Sequence, residues 1–113
     1  MSTLFAEQAK PAEYDSTSLE YIKCRVEKRI NGTVVNPTGD VVSMAFTLTK
    51  TGAGASFKAA DWETTSQGYY VRCLVGPGGG TTELVAGKSY YVWVKIADSP
   101  EIPVKSGGML AVT

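Results

Sequence analysis

From residue 19 onward the chain alternates apolar and polar positions with a period of two, which predicts strands with one buried and one wet face. In Glu20–Ile30 the even positions Ile22, Cys24, Val26 and Ile30 are apolar and the odd positions Lys23, Arg25, Glu27 and Arg29 are charged. From Ile22 to Ile30, Lys28 is the one charged residue with the apolar parity. Asn31-Gly32 then predicts a tight hairpin, with Val34-Val35 as the return. Asn36-Pro-Thr-Gly-Asp40 is a second turn. In Val41–Thr49, Val42, Met44, Phe46 and Leu48 share one face, and Ser43, Ala45, Thr47 and Thr49 the other.

Lys50–Ser56 (KTGAGAS) reads as a flexible loop, and Phe57–Glu63 as a short irregular strand. Tyr69, Val71, Cys73 and Val75 form the next apolar stripe, with Tyr70, Arg72 and Leu74 opposite. Gly76-Pro-Gly-Gly-Gly80 is a loop that no central strand tolerates. Glu83–Ala86 reads as a short strand. Tyr90, Val92, Val94 and Ile96 point inward in the following one, with Tyr91, Trp93 and Lys95 outward. Asp98–Pro103 is an extended link, and Met109–Val112 a last short strand. About seven short strands, spaced by turns and without a helix, predict an all-β fold, an antiparallel β-sandwich or small barrel.

Residues 1–18 lack this periodicity and read as an extended arm, either a solvated tail or one that orders against a neighbouring subunit. Leu4, Phe5 and Tyr14 favour a protein contact, because such side chains are out of place in a solvated tail. The expected organisation is an arm at 1–18 and one sandwich domain at 19–113.

Composition narrows the chemistry. The 113 residues are 43% hydrophobic, enough for one self-sufficient core. Eleven basic and eleven acidic residues balance, so no charge footprint points to nucleic acid or an anionic membrane. With no histidine, Ser-His-Asp and Cys-His catalysis and histidine metal sites are excluded. No segment approaches the roughly 20 apolar residues of a membrane span, and the start does not read as a signal peptide, so synthesis in cytoplasm is expected.

Cys24 and Cys73 read either as two buried thiols or as a cross-sheet disulfide. Gly87-Lys88-Ser89 resembles the end of a phosphate loop, but Thr82 stands where the earlier glycine is needed and a strand follows. Asn31-Gly32-Thr33 fits a glycosylation sequon, which the hairpin explains better. Asp61 and Glu63 sit on one strand face, but surface carboxylates are ordinary. No catalytic residue, cofactor or metal is expected. Tyr70, Tyr91 and Trp93, with Leu74, lie opposite the apolar stripes. They are expected either under the 57–63 segment or the arm, or together in one exposed patch for protein or sugar, with Arg72 and Lys95 beside them. The candidate protein-binding residues are thus Leu4, Phe5, Tyr14, Tyr70, Arg72, Tyr91 and Trp93.

The run YVRCLVGP (70–77), followed by ELVAGKSYYVWVKIADSPEIPV (83–104), resembles the small Ig-like β-sandwich proteins of tailed bacteriophages. The Val41–Thr49 strand after its polar turn is similar to one in the same modules. The resemblance covers about residues 19–113. It implies an Ig-like sandwich and a multi-copy virion structural protein: a capsid decoration or minor capsid protein contacting the major capsid protein, or a neck or tail component. The chain departs from antibody domains, since Val71 occupies the tyrosine-corner position and Trp62 lies too near Cys73. A carbohydrate-binding module stacking sugars on Trp93, Tyr91 and Tyr70 is the alternative.

Overall fold

Ten strands form among residues 2–113, which the computed structural model describes. They are β1 (Ser2–Ala6), β2 (Glu13–Tyr14), β3 (Glu20–Ile30), β4 (Thr33–Val35), β5 (Val41–Thr47), β6 (Lys58–Ala59), β7 (Asp61–Thr65), β8 (Gly68–Val75), β9 (Ser89–Ala97) and β10 (Val104–Val112). Two five-stranded sheets pack face to face. The first runs β1-β3-β8-β7, with β4 also paired to β3; the second runs β2-β10-β9-β5-β6. Every pairing is antiparallel except β2 with β10, which is parallel.

The inward parity of each long strand fills the space between the sheets. Ile22, Cys24 and Val26 of β3 and Val71, Cys73 and Val75 of β8 face Val42 and Met44 of β5, Val92, Val94 and Ile96 of β9, and Leu110 of β10. Each of these aliphatic side chains contributes about 1.5–3 kcal/mol by leaving water. The predicted hairpin forms at Asn31 (φ 52°) and Gly32 (φ 81°), the positive angles that a two-residue turn demands.

Four expectations are corrected. The strand count of about seven becomes ten, because the 57–63 segment divides into β6 and β7 and the N-terminal region supplies two strands. The last strand begins at Val104 rather than Met109; its register shifts between Ser106 and Met109, across Gly107-Gly108. Glu83–Ala86 is not a strand, although Leu84 is buried.

The largest correction concerns the arm at 1–18, whose first residue lies outside the described ones. β1 pairs with β3 from Ser2↔Ile30 to Ala6↔Val26. The chain then crosses between the sheets. Ala9 N–H donates to the Gly107 carbonyl (2.7 Å), and β2 adds to β10 beside Ala111 and Val112. Leu4, Ala9 and Tyr14 are core residues. This segment escapes a periodicity reading because its two pairings are short and belong to different sheets.

Cys24 and Cys73 are both free and buried. They lie on neighbouring strands of one sheet, where Cys24 pairs with Val71 and Ile22 with Cys73, so no cross-sheet disulfide joins them. Burial pushes the Cys24 thiol up to about 12 and raises that of Cys73. A thiolate reagent at mildly alkaline pH should therefore label neither cysteine in the folded protein and both after denaturation. Rapid labelling of the native state would contradict this burial.

Candidate protein-binding surfaces

The two sheets present outer faces of opposite character. On the first sheet the odd positions of β3 and their partners on β7 and β8 carry charge. Lys23 reaches Glu63 (2.7 Å), and Arg72 reaches both Asp61 (3.0 Å) and Glu63 (3.4 Å). Arg25 reaches Glu7 (2.9 Å), and Arg29 reaches Glu27 (2.8 Å). The hydrogen bond from Lys23 holds the Glu63 carboxyl below its usual range. The basic groups also cover rings: Arg72 stands 4.2 Å from the centre of Tyr21, and Lys23 5.3 Å from that of Tyr70. Charges paired within one face offer little net field to a charged partner. Asp61 and Glu63 share this face, as expected, and both serve Arg72.

At the edge of this sheet, Tyr21, Asp61, Arg72 and Cys73 border an open cleft of about 270 Å³. The Cys73 thiol contacts the Thr81 hydroxyl there at 2.9 Å.

The outer face of the second sheet is built from rows across β10, β9 and β5. Val104, Lys95 and Ser43 form one row; Ser106, Trp93 and Ala45 the next; Met109, Tyr91 and Thr47 the third. Lys95 is the only charged residue in these rows, and its ammonium lies 4.4 Å from the centre of the Phe57 ring. Trp93 donates to the Thr47 hydroxyl (2.9 Å). The Lys50–Ser56 loop folds over this centre: a methyl group on Gly52 would sit 3.5 Å from the Trp93 ring and 3.6 Å from Val104. The uncovered margin is apolar. Met109 and Val104 are each 43% exposed, and Val41, at the end of β5, is 77% exposed. Leu48 and Ile102, on the segments entering and leaving this sheet, are also exposed.

The seven residues singled out in the sequence therefore do not form one site. Leu4 and Tyr14 are interior; the Tyr14 hydroxyl donates to the carbonyls of Ser18 and Val75, and burial raises its pKa. Phe5 is 52% exposed and has the outward parity of β1. Tyr70 is buried between Arg25 and Glu63, its partners in the pairing, and Arg72 is held by Asp61. Tyr91 and Trp93 belong to the other sheet, so the expected patch of Tyr70, Leu74, Tyr91 and Trp93 is divided between opposite sides of the sandwich. Parity reports whether a side chain faces the core, but not which sheet carries it. Gly52 of the 50–56 loop lies against Trp93, whereas the sequence pointed to the 57–63 segment or the arm as the cover. The reading missed Met109, Val104 and Val41, whose only sequence signal is an apolar residue at outward parity.

Comparison with protein-family models, with curated proteins and with solved structures gives no match.

Proposed function

We propose that this chain is a non-enzymatic virion structural protein of tailed-bacteriophage type. In this reading an Ig-like sandwich docks on a repeating protein lattice, the major capsid protein being the first candidate. Two features support the Ig-like part. The first sheet runs in the order expected of strands A-B-E-D, and the second places G-F-C beside each other, with β2 and β6 on its two edges. The sequence resemblance over residues 19–113 supports the virion part.

The observation that carries the docking surface is the nearly uncharged outer face of the second sheet, with Met109, Val104 and Val41 exposed around Tyr91 and Trp93. Exposed apolar side chains gathered on one nearly uncharged face mark a protein contact rather than ordinary surface. A small contact repeated in many copies gains occupancy from the lattice, and a chain of zero net charge packs without self-repulsion. A neck or tail position would use the same face. Sugar stacking is less well supported, because it relied on Tyr70 acting beside Tyr91 and Trp93.

Quantitative mass spectrometry of purified particles tests the reading by counting this chain against the major shell protein. A near-equimolar ratio fits decoration, and a small fixed number fits a neck or tail ring. Absence from particles overturns the proposal. Exchanging Met109 and Val104 together for Glu should lower particle occupancy by about tenfold or more while leaving the melting transition near that of the parent. Equal occupancy would exclude this face as the contact.

A further inference from the structure

Lys28 breaks the apolar stripe of β3, and its surroundings are unusual. It pairs in register with Leu4 on one side and Val35 on the other, and its side chain is only 12% exposed. Its ammonium lies 2.9 Å from Oδ2 of Asp40 and 3.1 Å from Oδ1 of Asp98, whose side chains are 17% and 16% exposed. Asp40 precedes β5 and Asp98 follows β9, so a lysine of the first sheet is gripped by two carboxylates of the second. Both are fixed through their backbones. The Asp40 N–H donates to the Pro37 carbonyl (3.0 Å), and its own carbonyl accepts from the Trp62 indole (2.8 Å). The Asp98 N–H donates to the Ile96 carbonyl (3.1 Å), and its carbonyl accepts from Glu101 N–H (2.7 Å).

We propose that Lys28 and Asp98 are the precursors of an intramolecular amide bond tying the two sheets together, with Asp40 as the proton carrier. The ammonium passes one proton to the Asp98 carboxylate, leaving a neutral amine beside a carboxylic acid. The Nζ lone pair attacks Cγ of Asp98. Asp40 takes a second proton from the nitrogen and hands it to the departing hydroxyl, which leaves as water. One N–C bond forms, one C–O bond breaks, and Asp40 ends as the carboxylate it began as. The charge of the cluster is unchanged, and no oxidant or other reactant enters.

Amide formation from free ions in water is unfavourable, but well-oriented intramolecular reactions reach effective molarities of about 10⁵–10⁸ M. Replacing a partly desolvated ion pair by a neutral amide also removes its desolvation cost. The hydrogen bond to Asp40, reinforced by Asp98, holds the Lys28 ammonium above its ordinary pKa against the effect of burial. The neutral amine is therefore a minor form, and the bond forms slowly after folding. This chemistry is independent of what the outer face binds.

The test is the intact mass of the purified full chain, followed during prolonged incubation under native conditions and then by peptide mapping. The expected result is a major species lighter than the sequence by one water, with a branched peptide joining Lys28 to Asp98. Persistence of the full mass, with Lys28 free, overturns the proposal. A succinimide has the same mass but leaves Lys28 free and hydrolyses in alkali, and finding one also overturns it. A branch to Asp40 refutes the assignment of acceptor and carrier. Lys28→Arg keeps the cation between the carboxylates but has no amine to acylate, so it should retain the full mass. A one-water deficit in that folded variant would place the reaction elsewhere and overturn the proposal.

Discussion

Deleting residues 1–18 should abolish cooperative folding rather than merely remove a docking arm. The deletion strips β1 from five register partners on β3, Val26 to Ile30, and strips β2 from β10. It removes Leu4, Ala9 and Tyr14 from the core. It also removes the pairing in which Ser16 N–H donates to the Thr113 carbonyl and Thr113 N–H to the Tyr14 carbonyl, both at 2.9 Å. Losing a buried leucine and a buried tyrosine costs about 2–5 kcal/mol each. The total stability of a domain this size is about 5–15 kcal/mol. The exposed edges of β3 and β10 would then offer unpaired backbone groups to other chains, so aggregation should accompany the loss. Far-ultraviolet circular dichroism with a urea titration decides the matter. A truncated chain that melts cooperatively near the parent temperature would mean that the segment is dispensable to the fold.

The contrast between this segment and the rest explains what the sequence makes legible. β3, β5, β8 and β9 are long enough for a period of two to be seen, and their burial largely follows it, Ala45 of β5 and Tyr70 of β8 being buried despite their outward parity. Asn31-Gly32 is read from local chemistry alone. β2 and β6 have two residues each, too few to show any period; they exist because a long strand already in place offers them an edge. The candidate surface is legible only in part for a related reason. Alternation marks Tyr70 and Trp93 as outward, yet the sheet each occupies depends on pairings between residues far apart in sequence. Lys28 is visible in the sequence as an exception to a stripe. Its two carboxylate partners are not, because Asp40 and Asp98 meet it only when the sheets stack.

Gly76→Ala should destabilise the domain by about 3–5 kcal/mol, although it adds one methyl group to a glycine-rich loop. The loop reads as adaptable because five of its residues are Gly-Pro-Gly-Gly-Gly. At Gly76 the opposite holds. Its φ is +123°, where an L side chain is strained, and a Cβ there would lie 1.9 Å from the Ser18 carbonyl oxygen and 2.5 Å from the Tyr14 hydroxyl. Neither neighbour can yield cheaply. The Ser18 carbonyl accepts from Tyr14, whose ring is 1% exposed, and Gly76 N–H is itself committed to the Thr82 carbonyl (2.9 Å). The close approach that the glycines permit is thus to the chain's own 14–18 turn. Gly78 supplies the control: its φ is +84°, but nothing lies within 4 Å of its Cβ position. Gly78→Ala meets only the left-handed backbone cost of about 1–2 kcal/mol. The difference between the two variants in urea midpoints, at equal denaturant dependence, measures the crowding at Gly76. Equal losses would mean that the 14–18 turn moves aside, and that the N-terminal segment is held less firmly than its hydrogen bonds imply.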